Sequence, residues 1–386
     1  MPAEFTIGVE EEYQLVDRAT GALRSAASSV RAADQSGELV GEVQESQVEI
    51  GTPICATAAE AAEALRQLRF QASSAAAARE LDILSMGIHP FSGWQDQHMS
   101  IEERPKLIAN LFGQLIRQQH TCGLHVHVCV PAKHDRVRLM NVVREYIPHF
   151  LALSCSSPLY MGADTGFASF RATAWRNYPF SGAPPRFESA DEYDRYIGML
   201  IRTGAIPDGK TVYWSVRPSS RFPTIELRTC DACPRLSEAV AIAALTRAVV
   251  AAAAEGVLRE TTSPLSTGLR ESLLKENEWY AARDGLDARL IDPAAPDEGR
   301  PLRGLIAELL ERVRPVAEGL GDGDALQPIE DVLAQGNAAD RIRARRAEGM
   351  EMESLVGWLV EETRVGTGID RRADLREPTL STVEGV

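Results

Sequence analysis

The chain has 386 residues, enough for one large α/β unit or for two to three average domains. Hydrophobic residues make up 44% and charged residues 25%, a globular balance. The net charge of −14 argues against a general binder of nucleic acid or acidic membrane, because phosphate contacts need basic surface. A local basic pocket for a phosphorylated small molecule stays open. Six cysteines are sparse for this length, and with no secretory leader at the start a cytoplasmic, disulfide-free protein is expected. Cys230 and Cys233 form a lone C-x-x-C without a second pair, a weak zinc signal that reads as packed thiols.

In chain order, residues 5–15 alternate with a period of two. Phe5, Ile7, Val9, Tyr13 and Leu15 share one face, and Thr6, Gly8, Glu10, Glu12 and Gln14 the other. The pattern predicts a strand that holds Glu10 and Glu12 on one side, roughly 7 Å apart. Such a pair is either a solvent-facing edge or a seat for a divalent cation. Glu11 points the other way and is expected to be dispensable to any such ion. Residues 42–50 predict a second strand with Glu45, Gln47 and Glu49 on one face. Thr57 opens a long alanine-rich helix with Glu60 at the capping-box position. Residues 83–88 read as a short buried strand, followed by a loop that His89 orders through hydrogen bonds. A single helix is predicted over 104–119.

Residues 121–130 alternate again, with Leu124, Val126, Val128 and Val130 opposite Gly123, His125, His127 and Cys129. Asp135 is placed to cap the next helix, to about residue 156. Residues 158–189 are rich in glycine, proline, aromatics and arginine and show no period. They read as an irregular cover over a site, in which Arg171 and Arg176 could hold a substrate carboxylate. Strands are predicted over 211–217 and 221–229, the latter setting Thr224, Glu226 and Arg228 against Ile225 and Leu227. The remainder is mainly helical. Its apolar run, 239–257, carries Arg247 near mid-span, which costs about 2.5–3.5 kcal/mol on insertion scales, so it reads as a buried helix and no membrane span is expected. A single domain over 1–365 and a flexible tail over 366–386 complete the layout.

Taken together, these strands place Glu10, Glu12, Glu45, Glu49, His125, His127, Glu226 and Arg228 on one face. The expected fold is α+β: a curved, mostly antiparallel sheet with the active site on its concave face and helices packed on the other. So many acids around one cavity need cations, because unpaired buried charge is very costly. Oxygen-rich ligation points to Mg²⁺ or Mn²⁺ over zinc. The arginines, Arg217 and Arg221 among them, then need an anion, and metal with guanidinium suits phosphoryl transfer. The pattern G-x-x-x-x-G-K-T occurs once, at Gly204 to Thr211, but it lies between a predicted helix and a predicted strand instead of between a strand and a helix, so it is not read as a phosphate loop, and no G-x-S-x-G elbow occurs.

The ordered set Gly8-Val9-Glu10-Glu11-Glu12, Glu45-x-x-x-Glu49, Gly87-Ile88-His89-Pro90-Phe91, Gly123-Leu124-His125-Val126-His127-Val128, Trp214 to Ser219, Thr224 to Arg228 and Glu276-Asn277-Glu278-Trp279 resembles the carboxylate–amine ligases, or type 2 glutamate–cysteine ligases, of the glutamine-synthetase-like superfamily. The resemblance implies an ATP-dependent ligase that joins a carboxylate, commonly the γ-carboxylate of glutamate, to an amine such as cysteine through an acyl phosphate. It implies two or three Mg²⁺ (or Mn²⁺) ions on Glu10, Glu12, Glu45, Glu49, His125 and Glu226. His127, Arg217 and Arg221 would contact nucleotide, and Arg228, with Glu45 and Arg171, the reacting groups. Small-molecule substrates, no nucleic acid or membrane partner, and a homodimer are implied as well. Three alternatives stay open: a metal-dependent amidase or peptidase acting on γ-glutamyl-type amides, a descendant that binds nucleotide or amino acid without turnover, and a guanidine kinase on the same architecture.

Overall fold

The structure is a computed structural model that describes residues 4–368. Its elements include strand β1 (Ile7–Asp17), β2 (Val40–Gly41), β3 (Gln47–Gly51), helix α1 (Ala58–Ala77), β4 (Leu81–Leu84), α2 (Glu103–Phe112), β5 (Gly123–Cys129), α3 (Phe170–Trp175), β6 (Val216–Pro218), β7 (Thr224–Asp231), α4 (Leu236–Ala254) and α5 (Thr267–Asp284). The seven strands form one sheet in the order β6-β7-β5-β1-β3-β2, with β4 also paired to β1, and every pairing is antiparallel. A bulge between Leu227 and Cys230 shifts the register of β7 on β5, the kind of irregularity that bends a strand. The mixed helix-and-antiparallel-sheet fold is as expected.

One face of the sheet is apolar. Ile7, Val9, Tyr13, Leu15, Leu124, Val126, Val128, Ile225 and Leu227 are buried in a core shared with α1 and α4. Glu11 also projects there. It is fully buried, and Arg69 of α1 grips it while the Tyr13 hydroxyl donates to it at 2.5 Å. Helix α4 is long and apolar enough to cross a membrane by length and composition, but it is buried at the centre of the core. Its Arg247 is satisfied inside, donating to the Phe5 carbonyl at 2.8 Å and to Asp322 at 2.6 Å. The six cysteines are free thiols, and Cys230 and Cys233 are packed.

The strand expected over 83–88 runs instead over Leu81–Leu84, and three further predicted elements differ, each for a local reason. The expected strand over 42–50 is interrupted: Gln44 bridges Met99, the Glu45 amide bonds the His98 carbonyl, and regular pairing begins only at Gln47. The helix over 104–119 breaks at Gly113, whose φ of 56° leaves the helical region. The irregular segment 158–189 contains α3, capped by the Ser169 hydroxyl. The expected tail begins where helix Met352–Arg364 has ended, and from residue 369 onward it lies outside the described residues.

Candidate active site

Register brings the polar face together. Glu10 of β1 stands opposite His125 of β5, and Glu12 opposite Glu49 of β3. On the far side of β5, His127 stands opposite Glu226 of β7, which faces Arg217 of β6. Neighbouring strands lie about 4.8 Å apart, so these side chains meet in rows across the sheet. His125 Nδ1 is 3.4 Å from one Glu10 oxygen and His127 Nε2 3.3 Å from the other. His127 Nδ1 is fixed 2.9 Å from the Thr224 hydroxyl.

Two groups of potential ligand atoms result, each within 4.8 Å of one another: Glu10, His127 and Glu226, and Glu12, Glu42 and Glu49. Their electrostatics differ. Burial and the adjacent Glu42 carboxylate push the Glu12 carboxyl up to about 8, against the hydrogen bond it accepts from the Gly123 amide at 2.6 Å. Glu49 rises well above the ordinary carboxylate range for the same reasons. Burial alone would raise Glu226 too, but Arg228 and Arg217 hold it well below that range. Burial also works against ionisation of Glu10, yet hydrogen bonds from both imidazoles keep it low. His125 falls to about 4 through burial and the Arg228 cation, so it donates as a neutral ring. With Glu12 and Glu49 both raised, this all-carboxylate triad is short of positive charge, and its oxygen donors suit a hard divalent cation. The residues therefore fit such an ion.

Around these groups lies a cleft of about 490 Å³, lined by Glu10, Glu12, Glu42, Glu49, His125, His127, Arg217, Arg221, Glu226 and Arg228 among others. Of the six residues that the resemblance assigns to the metal ions, Glu45 alone lies away from it. Its carboxylate instead accepts from the Ser28 amide and hydroxyl at 2.9 and 2.8 Å, at the start of helix Ala27–Arg31. The turn at 44–46 sends Glu45 outward and Glu42 inward, a reversal that a continuous strand would not make. The ligand groups take His127 rather than His125, which bridges Glu10 and Glu12. Arg217 is buried and engaged: its Nε and one Nη bond Glu226 at 2.9 and 3.1 Å, and the other Nη bonds the Lys210 and Val212 carbonyls. In this structure its donors are turned to Glu226 and the two carbonyls. Arg228 bonds the same carboxylate. Arg221 is exposed at the cleft, its guanidinium 5.1 Å from the Phe222 ring.

Arg171, expected in a loop, is buried on α3 and donates to the Thr229 and Arg228 carbonyls at 3.2 and 3.3 Å. Asp231 anchors that helix by accepting from Ser157 and Ser169, both at 2.7 Å. A side-chain carbon at Gly123 would stand 2.4 Å from Arg171 Nη2 and 3.0 Å from His125 Nε2, so glycine is what lets the guanidinium approach. His89 orders its loop as expected, accepting from the Phe91 and Ser92 amides. Sequence reasoning missed Glu42, which opened the mispredicted strand, and Glu278, hidden inside the Glu276–Trp279 motif.

The profile of glutamate–cysteine ligase family 2 (GCS2) matches residues 6–362. The chain belongs to glutamate–cysteine ligase family 2. Curated relatives agree. A Paracoccus denitrificans protein provisionally named glutamate–cysteine ligase 2 is 38% identical over 94% of this chain and 98% of its own length. A Roseiflexus castenholzii protein of the same provisional name is 38% identical over 95% and 96%. Among solved structures, a Francisella tularensis glutamate–cysteine ligase in complex with AMP superposes with a TM-score of 0.69 at 13% identity, covering 98% of this chain and 90% of that one. A bifunctional glutathione synthetase from Pasteurella multocida gives 0.65 at 16%, over 95% and 53%. At these identities the two structures report the fold alone. Membership of glutamate–cysteine ligase family 2 makes the chain an ATP-dependent ligase of the glutamate–cysteine ligase type.

Proposed function

We propose that this ligase activates the γ-carboxylate of glutamate with ATP and passes the resulting acyl phosphate to an amine, cysteine being the amine the family name suggests. The observation that carries the reading is the pair of ligand groups on the sheet face, with the Arg228 cation bonded to Glu226 and acting on Glu10 and Glu12, in an arginine-lined cleft. Glu10, His127 and Glu226 would hold one Mg²⁺ or Mn²⁺ ion, and Glu12, Glu42 and Glu49 a second. Bound there, such ions supply charge neutralisation for the phosphate oxygens.

The chain's own residues account for the remaining requirements. Arg228, held by Glu226, presents a guanidinium where charge gathers during phosphoryl transfer. Arg217 fixes Glu226, and Arg221 at the open end suits the outer phosphates of the nucleotide. An acyl phosphate hydrolyses readily, so its surroundings must exclude water. Trp175 and Tyr213, 5.0 Å apart between ring centroids, wall the inner end of the cleft.

The test is ADP formation with Mg²⁺, ATP, glutamate and a panel of amines, read against the control without amine. Amine-dependent ADP release, with the γ-glutamyl amide as product, is the expected outcome. Absence of ADP for every pairing, together with metal-dependent cleavage of γ-glutamyl amides, would replace the ligase reading with a hydrolase.

A further inference from the structure

Of the four residues in the motif Glu276-Asn277-Glu278-Trp279, three have plain structural positions. Glu276 is exposed. Asn277 clamps the Ile291 backbone with two 2.8 Å hydrogen bonds. Trp279 packs on Phe167 and Arg283. Glu278 does something else: it turns from α5 toward the inner end of the cleft and is only 5% exposed. There it lines a side pocket together with Arg176, Trp175, Ser215 and Arg228.

A buried carboxylate must find compensation, and it offers about four acceptor positions. Glu278 uses one oxygen for the Ser215 hydroxyl at 2.5 Å and the other for the Ala183 amide at 3.2 Å. Gly182, at φ +73°, shapes the turn that aims this amide. A side-chain carbon there would lie 3.2 Å from Glu278 Oε2, so the glycine keeps the carboxylate uncrowded. Among the described residues its one ion-pair partner is Arg176, whose Nη2 stands 3.6 Å from Oε2, too far for a good hydrogen bond, and donates to the Lys275 carbonyl at 3.2 Å, while Arg171 and Arg228, which also line the pocket, donate elsewhere. Glu278 and Arg176 thus present one negative and one positive group side by side, each with capacity to spare. The pocket between them and Arg228 holds about 30 Å³, room for one water-sized group.

We propose that Glu278 is a specificity-determining residue that receives the α-ammonium of the acid substrate in this pocket, while Arg176 receives its α-carboxylate. This assignment rests on the ligase reading above. The ammonium and carboxylate of an amino acid sit on one carbon, which matches a Glu–Arg pair 3.6 Å apart. The substrate's other carboxylate then extends past Arg228 toward the ligand groups. Acids that lack the α-ammonium leave Glu278 uncompensated and are rejected, because an unfilled buried polar site discriminates strongly.

The experiment compares glutamate with glutarate, which has the same carboxylates and no ammonium. With the full-length protein, Mg²⁺, ATP and amine, kcat/KM for glutamate should exceed that for glutarate by about 100-fold or more. In Glu278→Gln this ratio should collapse toward one, chiefly through the KM for glutamate, and Ser215→Ala, a gentler change, should lower the ratio partway. Equal use of both acids by the unaltered protein, or a Glu278→Gln that loses both equally and keeps the ratio, overturns the assignment and leaves the ligase reading standing. Calorimetric binding of the two acids, with Mg²⁺ and a non-hydrolysable ATP analogue, gives the same comparison without turnover. Should no acid yield ADP, the ligase reading fails, and the binding ratio still decides the role of Glu278.

Discussion

Arg69 grips Glu11 through two hydrogen bonds, Nε to Oε2 at 2.9 Å and Nη2 to Oε1 at 2.6 Å, with both side chains fully buried beneath the strand that carries Glu10 and Glu12. The same guanidinium donates to the Cys233, Pro234 and Thr363 carbonyls. Every donor is thereby used, and the pair ties β1 to the segment after β7 and to the last helix. Arg69→Met leaves an unpaired buried carboxylate, so it should cost about 3–5 kcal/mol in denaturant unfolding. Glu11→Gln should lower stability and leave the number of bound divalent ions unchanged by calorimetry, because Glu11 faces away from the ligand groups.

Glu42 and Glu45 differ by three positions and are expected to differ in kind. Glu42→Gln should weaken Mg²⁺ or Mn²⁺ binding at least tenfold, since Glu42 stands with Glu12 and Glu49. Glu45→Gln should leave metal affinity intact and cost about 1 kcal/mol of stability, the usual value of a lost helix cap. Metal titration and urea unfolding of the two variants, side by side, check both halves.

The raised Glu12 carboxyl sets a pH dependence. The metal-free folded chain keeps a proton there up to about pH 8, whereas the unfolded chain releases it near 4.5. That group's stabilising share is complete below pH 4.5 and disappears as pH rises through 8. A bound divalent cation displaces the proton, so affinity should climb from pH 6.5 to 8.5 with measurable proton release. Melting temperatures with Mg²⁺ and with EDTA should accordingly diverge over that interval.

Acid acts through a different group. Burial pulls His89 down to about 4, so the unfolded chain takes up a proton near 6.5 that the folded chain refuses until near 4. Stability present above pH 6.5 should fall as pH drops toward 4. His120 and His149, lowered to about 4 by burial as well, add to the slope. His89→Gln should therefore show a smaller difference between urea midpoints at pH 7.5 and pH 5 than the unaltered chain.

Gly123→Ala should abolish or sharply reduce turnover while the protein stays folded. The added methyl meets Arg171 Nη2 at 2.4 Å and His125 Nε2 at 3.0 Å, and one of them must move. Ligase assays alongside near-ultraviolet circular dichroism separate a displaced site from a lost fold.

Period-two alternation in 5–15, 121–130 and 221–229 was enough to read the polar face, because a strand with one buried side writes its orientation into every second residue. That is why Glu10, Glu12, His125, His127 and Glu226 meet as the pattern predicts. The same logic failed at 42–50. The chain turns at 44–46 by pairing with the backbone of Met99 and His98, a long-range partner that leaves no local trace. Arg217 was legible as a cation beside the site, but not as one whose donors are used by Glu226 and two carbonyls. Glu278 was invisible for a related reason: on a helix of mixed polarity, nothing local distinguishes the acid that faces inward.

The core salt link of Arg247 has a consequence for synthesis. Arg247 fastens the Phe5 carbonyl just ahead of β1 and reaches Asp322 far downstream. Strand β1 finds its sheet partners β3, β4 and β5 soon after it in the sequence, but its supporting helix α4 follows only after β7, and Asp322, which neutralises Arg247 of that helix, follows later still. Loop-closure entropy over such separations slows folding. The strand that carries Glu10 and Glu12 can thus pair at both edges and meet α1 early, while the full cover of its apolar face waits for α4 and for Asp322.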